Sequence, residues 1–131
     1  MAINGKKLVL FLCTHNSARS QMAEGLLNAL KGDKYVGFSA GIKATKIKEF
    51  AINTMKEIGI DISNHRSKTI EEFKDFPEFD YVITVCNYTK EICTYYPKAK
   101  KIIHKSFPDP ITLEDFKYVR NNIKKWIEDF F

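Results

Sequence analysis

Residues 8–25 read LVLFLCTHNSARSQMAEG, and their reading decides the fold of the chain. Leu8 to Leu12 is a short apolar run, the pattern of a strand buried on both faces. The run breaks off at Cys13. A polar loop of Thr14, His15, Asn16, Ser17 and Ala18 follows, and a helix begins near Arg19. Ser17 is placed to cap that helix. Met22, Leu26, Leu27 and Leu30 then recur at helical spacing, and Gly32 closes the element.

Working outward, the same alternation continues. Residues 35–39 form a second short strand, ended by Ala40 and Gly41. Residues 47–58 carry Ala51, Met55 and Ile58 on one face, with Gly59 as the stop. Residues 67–73 suggest a short helix. Residues 80–85, DYVITV, form a third strand that runs into another cysteine, Cys86. A helical turn is expected over 89–95 and a shorter, more polar fourth strand over 101–104. The last helix spans about 113–130, with Phe116, Val119, Ile123, Trp126, Ile127 and Phe130 as its apolar stripe. Strands that alternate with helices argue for one α/β domain over residues 1–131, a four-stranded parallel sheet with helices on both faces. Sites in such sheets gather beyond the carboxyl ends of the strands. Cys13, Cys86 and Asp109 each follow a strand, so the topology draws them to one edge.

The loop after the first strand has the chemistry of an anion cradle. A helix N-terminus offers unpaired N–H groups and a positive dipole. Arg19 adds a planar fork for two oxygens. The same positive field is expected to lower the pKa of Cys13 and keep it a thiolate. Ser20 is placed to donate a hydrogen bond to that thiolate, and Asn16 tolerates a left-handed backbone. The loop Thr14-His15-Asn16-Ser17-Ala18-Arg19-Ser20 therefore reads as an oxyanion-binding loop with a nucleophile at its base.

Composition narrows the alternatives. A 131-residue chain with 44% hydrophobic and 28% charged residues is an ordinary soluble domain that needs no disulfide or structural metal. Its net charge of +5 is spread over scattered lysines, which suits a small oxyanion or an acidic protein better than nucleic acid. No stretch reads as a signal peptide or membrane span, so a cytoplasmic protein is expected. In that compartment three cysteines point to catalysis, redox exchange or burial. The three histidines and three cysteines show no metal-ligand spacing, and neither metal nor cofactor is expected.

With these residues in view, the chain resembles the low-molecular-weight protein tyrosine phosphatase superfamily, and within it the thioredoxin-coupled arsenate reductases. The likeness lies in CTHNSARSQMAEG at 13–25, SAG at 39–41, IDISNHRSK at 60–68, VITVC at 82–86 and FPDP at 107–110. It implies Cys13 as nucleophile, Arg19 as oxyanion clamp and Asp109, stiffened between two prolines, as general acid or base. Cys86 and Cys93 bracket CNYTKEIC, and the reductases carry a cysteine pair at this spacing. The resemblance then implies a cascade: Cys13 attacks arsenate, Cys86 attacks Cys13 and releases arsenite, and Cys93 attacks Cys86. Thioredoxin or a similar dithiol protein clears the last disulfide. Phosphate and sulfate are expected to compete with arsenate, and the chain is expected to be a monomer.

Other features are read beside that likeness. Ala18 stands where many relatives have a cysteine outside the cascade, and His15 where a glycine is common. Some reductases hold potassium beside the counterparts of Asn16 and Glu24 with an aspartate near position 68. Lys68 stands here instead, so its ammonium is expected to take the place of the ion and, with Ser39, to support the loop. His65 and His104 read as structural or exposed. Tyr88, Tyr95 and Tyr96 read equally as a docking surface or as packing. The alternative activity is hydrolysis of phosphate monoesters through a Cys13 phosphoenzyme, although Ile111 replaces the aromatic residue that such phosphatases usually carry after Asp-Pro. An oxyanion sensor without turnover is a third reading, weakened by the complete set of nucleophile, clamp and acid.

Overall fold

The structure, a computed structural model, describes residues 5–86 and 98–131. Four parallel strands make its sheet: β1 (Lys7–Cys13), β2 (Tyr35–Gly41), β3 (Phe79–Thr84) and β4 (Ala99–His104), in the order β2-β1-β3-β4. Three α-helices accompany it: α1 (Arg19–Lys31), α2 (Glu49–Lys56) and α3 (Leu113–Phe130). A short 3-10 helix spans Ile70–Phe73. The helical turn expected over 89–95 lies outside the described residues.

β1 is central, which is why its sequence is apolar without a break. Val9, Phe11 and Cys13 face a core that holds Met22 and Leu26 of α1, Met55 of α2 and Phe116, Val119 and Ile123 of α3. Leu8, Leu10 and Leu12 face the opposite cluster with Ile70, Phe73, Phe79 and Val82. Each of these fully buried side chains contributes roughly 1.5–3 kcal/mol relative to exposure. Leu30, by contrast, is exposed near the end of α1.

Two departures from the sequence pattern shape the site. β2 runs on to Gly41, because its ladder with β1 continues until Cys13 pairs with Gly41. Residues 67–69 stay extended rather than helical: the Gly41 N–H donates to the Lys68 carbonyl at 2.9 Å, and Gly41 bridges to Thr69. The chain turns from β1 to β2 on one side and to β3 on the other. The crevice beyond β1 and β3 is the switch point of the sheet, where α/β folds bind ligands.

Candidate active site

Cys13 is the last residue of β1. The Val85 N–H donates to the Leu12 carbonyl at 2.9 Å, one step beyond the end of β3, and this sets Cys86 beside Cys13. Both thiols are buried. Thr14 Oγ1 lies 3.3 Å from Cys86 Sγ. Cys93 is outside the described residues.

The loop from Thr14 to Arg19 is held from below by polar side chains that have no access to water. Asn16 has a φ of 52°, in the left-handed region that few residues other than glycine adopt readily. Its side chain is fully buried. Nδ2 donates to Ser20 Oγ at 2.8 Å, while Oδ1 accepts from Gln21 Nε2 at 2.8 Å and from the Lys68 N–H at 3.0 Å. Ser20 thus braces Asn16, rather than reaching Cys13 as the sequence suggested. A β-carbon on Gly41 would lie 2.8 Å from both Asn16 N and Thr14 O, so only glycine lets β2 approach the loop this closely.

Ser17 does not cap α1. Ala18 holds the cap position and the helix start has no side-chain cap, so its first N–H groups remain available to an anion. Arg19 is anchored beside them. Nη1 donates to the Phe107 carbonyl at 3.0 Å, and Nη2 sits 3.4 Å from Asp109 Oδ1. Its Nε is buried with no hydrogen-bond partner among the described residues. A buried N–H without an acceptor is costly, and an anion oxygen would satisfy it. Asp109 is far more open, with 72% of its side chain exposed against 13% for Arg19. Cys13, His15, Arg19, Lys48 and Asp109 are among the residues lining a cavity of about 490 Å³ at this place, ample for a tetrahedral oxyanion.

A second layer supports the loop. Glu24 accepts from Ser39 Oγ at 2.5 Å and lies 3.8 Å from Lys68 Nζ. Lys68 is not a solvated lysine: its side chain is 12% exposed. Burial pulls its pKa below the ordinary value, and Glu24 partly offsets that. A cation thus already stands beside Glu24, and like-charge repulsion disfavours a potassium ion there. The residues present do not fit that ion.

The electrostatics of Cys13 differ from the expectation. The hydrogen bond with Cys86 and burial both push the Cys13 thiol upward, and the Arg19 charge lowers it only in part. Burial and the neighbouring thiol thus disfavour a negative charge on Cys13. The loop alone implied a depressed thiol, because nothing local to it announces Cys86.

A family model for low molecular weight phosphotyrosine protein phosphatase matches residues 8–131. The chain belongs to that family. Across the low-molecular-weight phosphatase family it is similar to the arsenate reductase of Halalkalibacterium halodurans, 41% identical over 133 aligned residues that cover 95% of each chain. Among solved structures it is similar to an arsenate reductase in the phosphate binding state, with 36% identity, a TM-score of 0.80 and coverage of 94% of this chain and 95% of that one. The low molecular weight protein tyrosine phosphatase from T. tengcongensis superposes equally well, with a TM-score of 0.80, 31% identity and coverage of 94% and 96%.

In this family member the structure brings together Cys13, Arg19, Cys86 and Asp109, with Asn16, Ser20, Glu24, Ser39 and Lys68 beneath the loop. Sequence reasoning missed Gln21 and the part His65 plays. Gln21 is fully buried, and its Nε2 also donates to the Arg66 carbonyl at 3.0 Å. Its Oε1 lies 3.0 Å from His65 Nδ1. Two residues after Arg19, on the face opposite the apolar stripe, it reads as an ordinary solvated helix residue. Only its burial reveals the role. His104, read as structural or exposed, pairs with Thr84 Oγ1 at 2.6 Å across β3 and β4.

Proposed function

We propose that this chain is an arsenate reductase that works by a three-thiol cascade. The observation that carries the reading is the placement of Cys86, which the Val85–Leu12 backbone bond sets beside the buried Cys13 at the base of the oxyanion cradle. A phosphatase needs one thiol. A second thiol beside the first is what a two-electron reduction requires.

In this mechanism arsenate enters between the α1 N-terminus and the Arg19 guanidinium. The Cys13 thiolate attacks arsenic. An arsenic–sulfur bond forms, and an oxygen leaves as water after taking a proton, for which the Asp109 carboxyl is the donor. The Cys86 thiolate then attacks Cys13 Sγ. The sulfur–sulfur bond forms as the sulfur–arsenic bond breaks, and its electron pair stays on arsenic, which leaves as arsenite. Cys93 attacks Cys86 next and expels the Cys13 thiolate, leaving a Cys86–Cys93 disulfide. A dithiol protein of the thioredoxin class removes it by the same exchange. Proton transfer from the Cys13–Cys86 pair precedes the first attack, and the incoming arsenate, itself a base, is a suitable acceptor. We further propose that phosphate and sulfate compete for the cradle, that the chain works as a monomer, and that it works in the cytoplasm, where thiols stay reduced. Among the described residues no helix is long and apolar enough to cross a membrane.

Arsenate-dependent oxidation of thioredoxin by wild type and by Cys13→Ser, Cys86→Ser and Cys93→Ser tests the reading. All three variants are expected to lose multiple turnover. Full turnover in both Cys86→Ser and Cys93→Ser would overturn it in favour of phosphate-monoester hydrolysis, the alternative that Cys13, Arg19 and Asp109 also support.

A further inference from the structure

We infer that the cradle has a second anion subsite at its mouth, built by Lys46, Lys48 and His15. It suits oxyanions that carry a second negative group, such as a diphosphate or a phosphoryl group beside another anion. This inference rests on the reading of the first loop as an oxyanion cradle, and it names the ligand class that the site prefers.

A cavity of about 570 Å³ adjoins the cradle. His15, Ser17 and Lys48 line both spaces, and Lys46 lines the second one. Lys46 and Lys48 are exposed, and among the described residues neither ammonium has a carboxylate partner. What sets them apart from other unpaired surface lysines is that the two line one cavity. Glu49 is the one carboxylate on the wall of the second cavity. Two uncompensated cations that share a concave wall hold a positive field, which gathers anions from solution.

The wall is built rather than loose. Residues 42–48 have no regular structure, yet backbone bonds staple them to the cradle. The Ile42 and Lys43 N–H groups donate to the Thr14 carbonyl at 2.9 and 3.0 Å, and the Lys48 N–H donates to the Ser17 carbonyl at 2.9 Å. Ser67 ties the middle: its hydroxyl donates to the His15 carbonyl at 2.9 Å and accepts from the Thr45 N–H at 2.9 Å. The lysine backbones are therefore fixed relative to the α1 N-terminus. An oxyanion seated on Arg19 would carry a second charge out toward Lys48. Arsenate and phosphate, each with a single oxyanion centre, would fill only the inner half of this arrangement.

The test uses titration calorimetry on the reduced full-length protein with inorganic phosphate, pyrophosphate and phenyl phosphate. Pyrophosphate and phenyl phosphate both extend a phosphate outward, but only pyrophosphate ends in charge. Pyrophosphate is expected to bind about tenfold more tightly than phosphate, and phenyl phosphate no more tightly, given modest gains from each exposed ion pair. In Lys46→Gln/Lys48→Gln the ratio of pyrophosphate to phosphate affinity is expected to fall to about one. Lys124→Gln/Lys125→Gln removes the same net charge from α3 and is expected to keep the preference. Pyrophosphate binding no tighter than phosphate, or a preference that survives the Lys46/Lys48 double variant, would overturn the subsite while leaving the cradle intact. Failure of phosphate itself to bind the wild type would overturn the cradle, and the subsite with it.

Discussion

The floor and the mouth of the oxyanion loop are built in opposite ways. On the floor, Asn16, Ser20, Gln21, Glu24 and Ser39 exchange hydrogen bonds among themselves, with Lys68 at their edge, and Asn16, Ser20, Gln21 and Ser39 are buried. At the mouth, Asp109, Lys46 and Lys48 stand in water, and Asp109 has one ion pair at 3.4 Å. The difference fits the tasks proposed for them. Donors that stabilise an oxyanion must be fixed before it arrives, so their supports are desolvated and fully paired. Groups that carry protons or attract ligands must exchange with solvent. Damage to the floor is thus expected to cost stability as well as activity, and damage to the mouth activity alone.

Arg19 joins the two regions and gives the largest expected effect. Arg19→Lys keeps the charge but loses the fork, and kcat/KM for arsenate is expected to fall by roughly 10²–10³-fold with little change in urea midpoint. A comparable loss of stability would mean that Arg19 belongs to the floor. For Asp109→Asn, steady-state kinetics should show kcat down by about 10²-fold, and thermal unfolding should be unchanged because the side chain is exposed. Asn16→Ala is the opposite case. It leaves the Lys68 N–H without its acceptor, takes one acceptor from the Gln21 amide and removes the side chain that holds the left-handed turn. Urea denaturation should report a loss of about 2–4 kcal/mol, with activity falling alongside. A fully stable but inactive Asn16→Ala would break the distinction between floor and mouth.

The fourth prediction concerns the thiol pair. The Cys86 hydrogen bond is the largest influence raising Cys13, so its removal lowers the Cys13 pKa. A lower pKa means more thiolate at neutral pH. Iodoacetamide should therefore label Cys13 roughly tenfold faster at pH 7 in Cys86→Ala than in wild type, and the pH profile of labelling should move to lower pH. An unmoved profile would mean that burial alone holds Cys13 protonated. The smallest effect is a null one. With Lys68 beside Glu24, turnover in potassium and in sodium should agree within about twofold, and clear activation by potassium would show that the lysine leaves that place.

Much of this was legible from residue order. The unbroken apolar run of β1 announced a central strand, since only a strand covered on both faces has no need of polar alternation. Cys13, Arg19 and Asp109 were legible because each sits in a local frame that exposes its chemistry: a strand end, a helix start, a pair of prolines. The brace was harder. Asn16 and Glu24 stand out in the sequence, but Gln21 does not, since a polar residue on a helix looks the same whether it meets water or a buried amide. Ser17 has the residue type of a cap, but cap preference is local, and in the folded loop the cap position falls on Ala18. Arg120 is similar: it reads as one more surface cation of α3, yet it is buried and ties α3 to the Thr54 carbonyl at 2.8 Å and to Glu57 at 2.9 Å.

By itself the sequence determined the parallel α/β class, the strand–loop–helix frame of the candidate site, and the family, because those depend on short-range spacing that survives without coordinates. Only the tertiary structure decided that the Cys86 sulfur rests against Cys13 and raises it, that Lys68 stands where a cation would, and that Gln21 knits the floor. Hydrogen bonding and desolvation act over a few ångströms of space. The sheet order, which places β3 next to β1, turns distant positions in the chain into neighbours within that range.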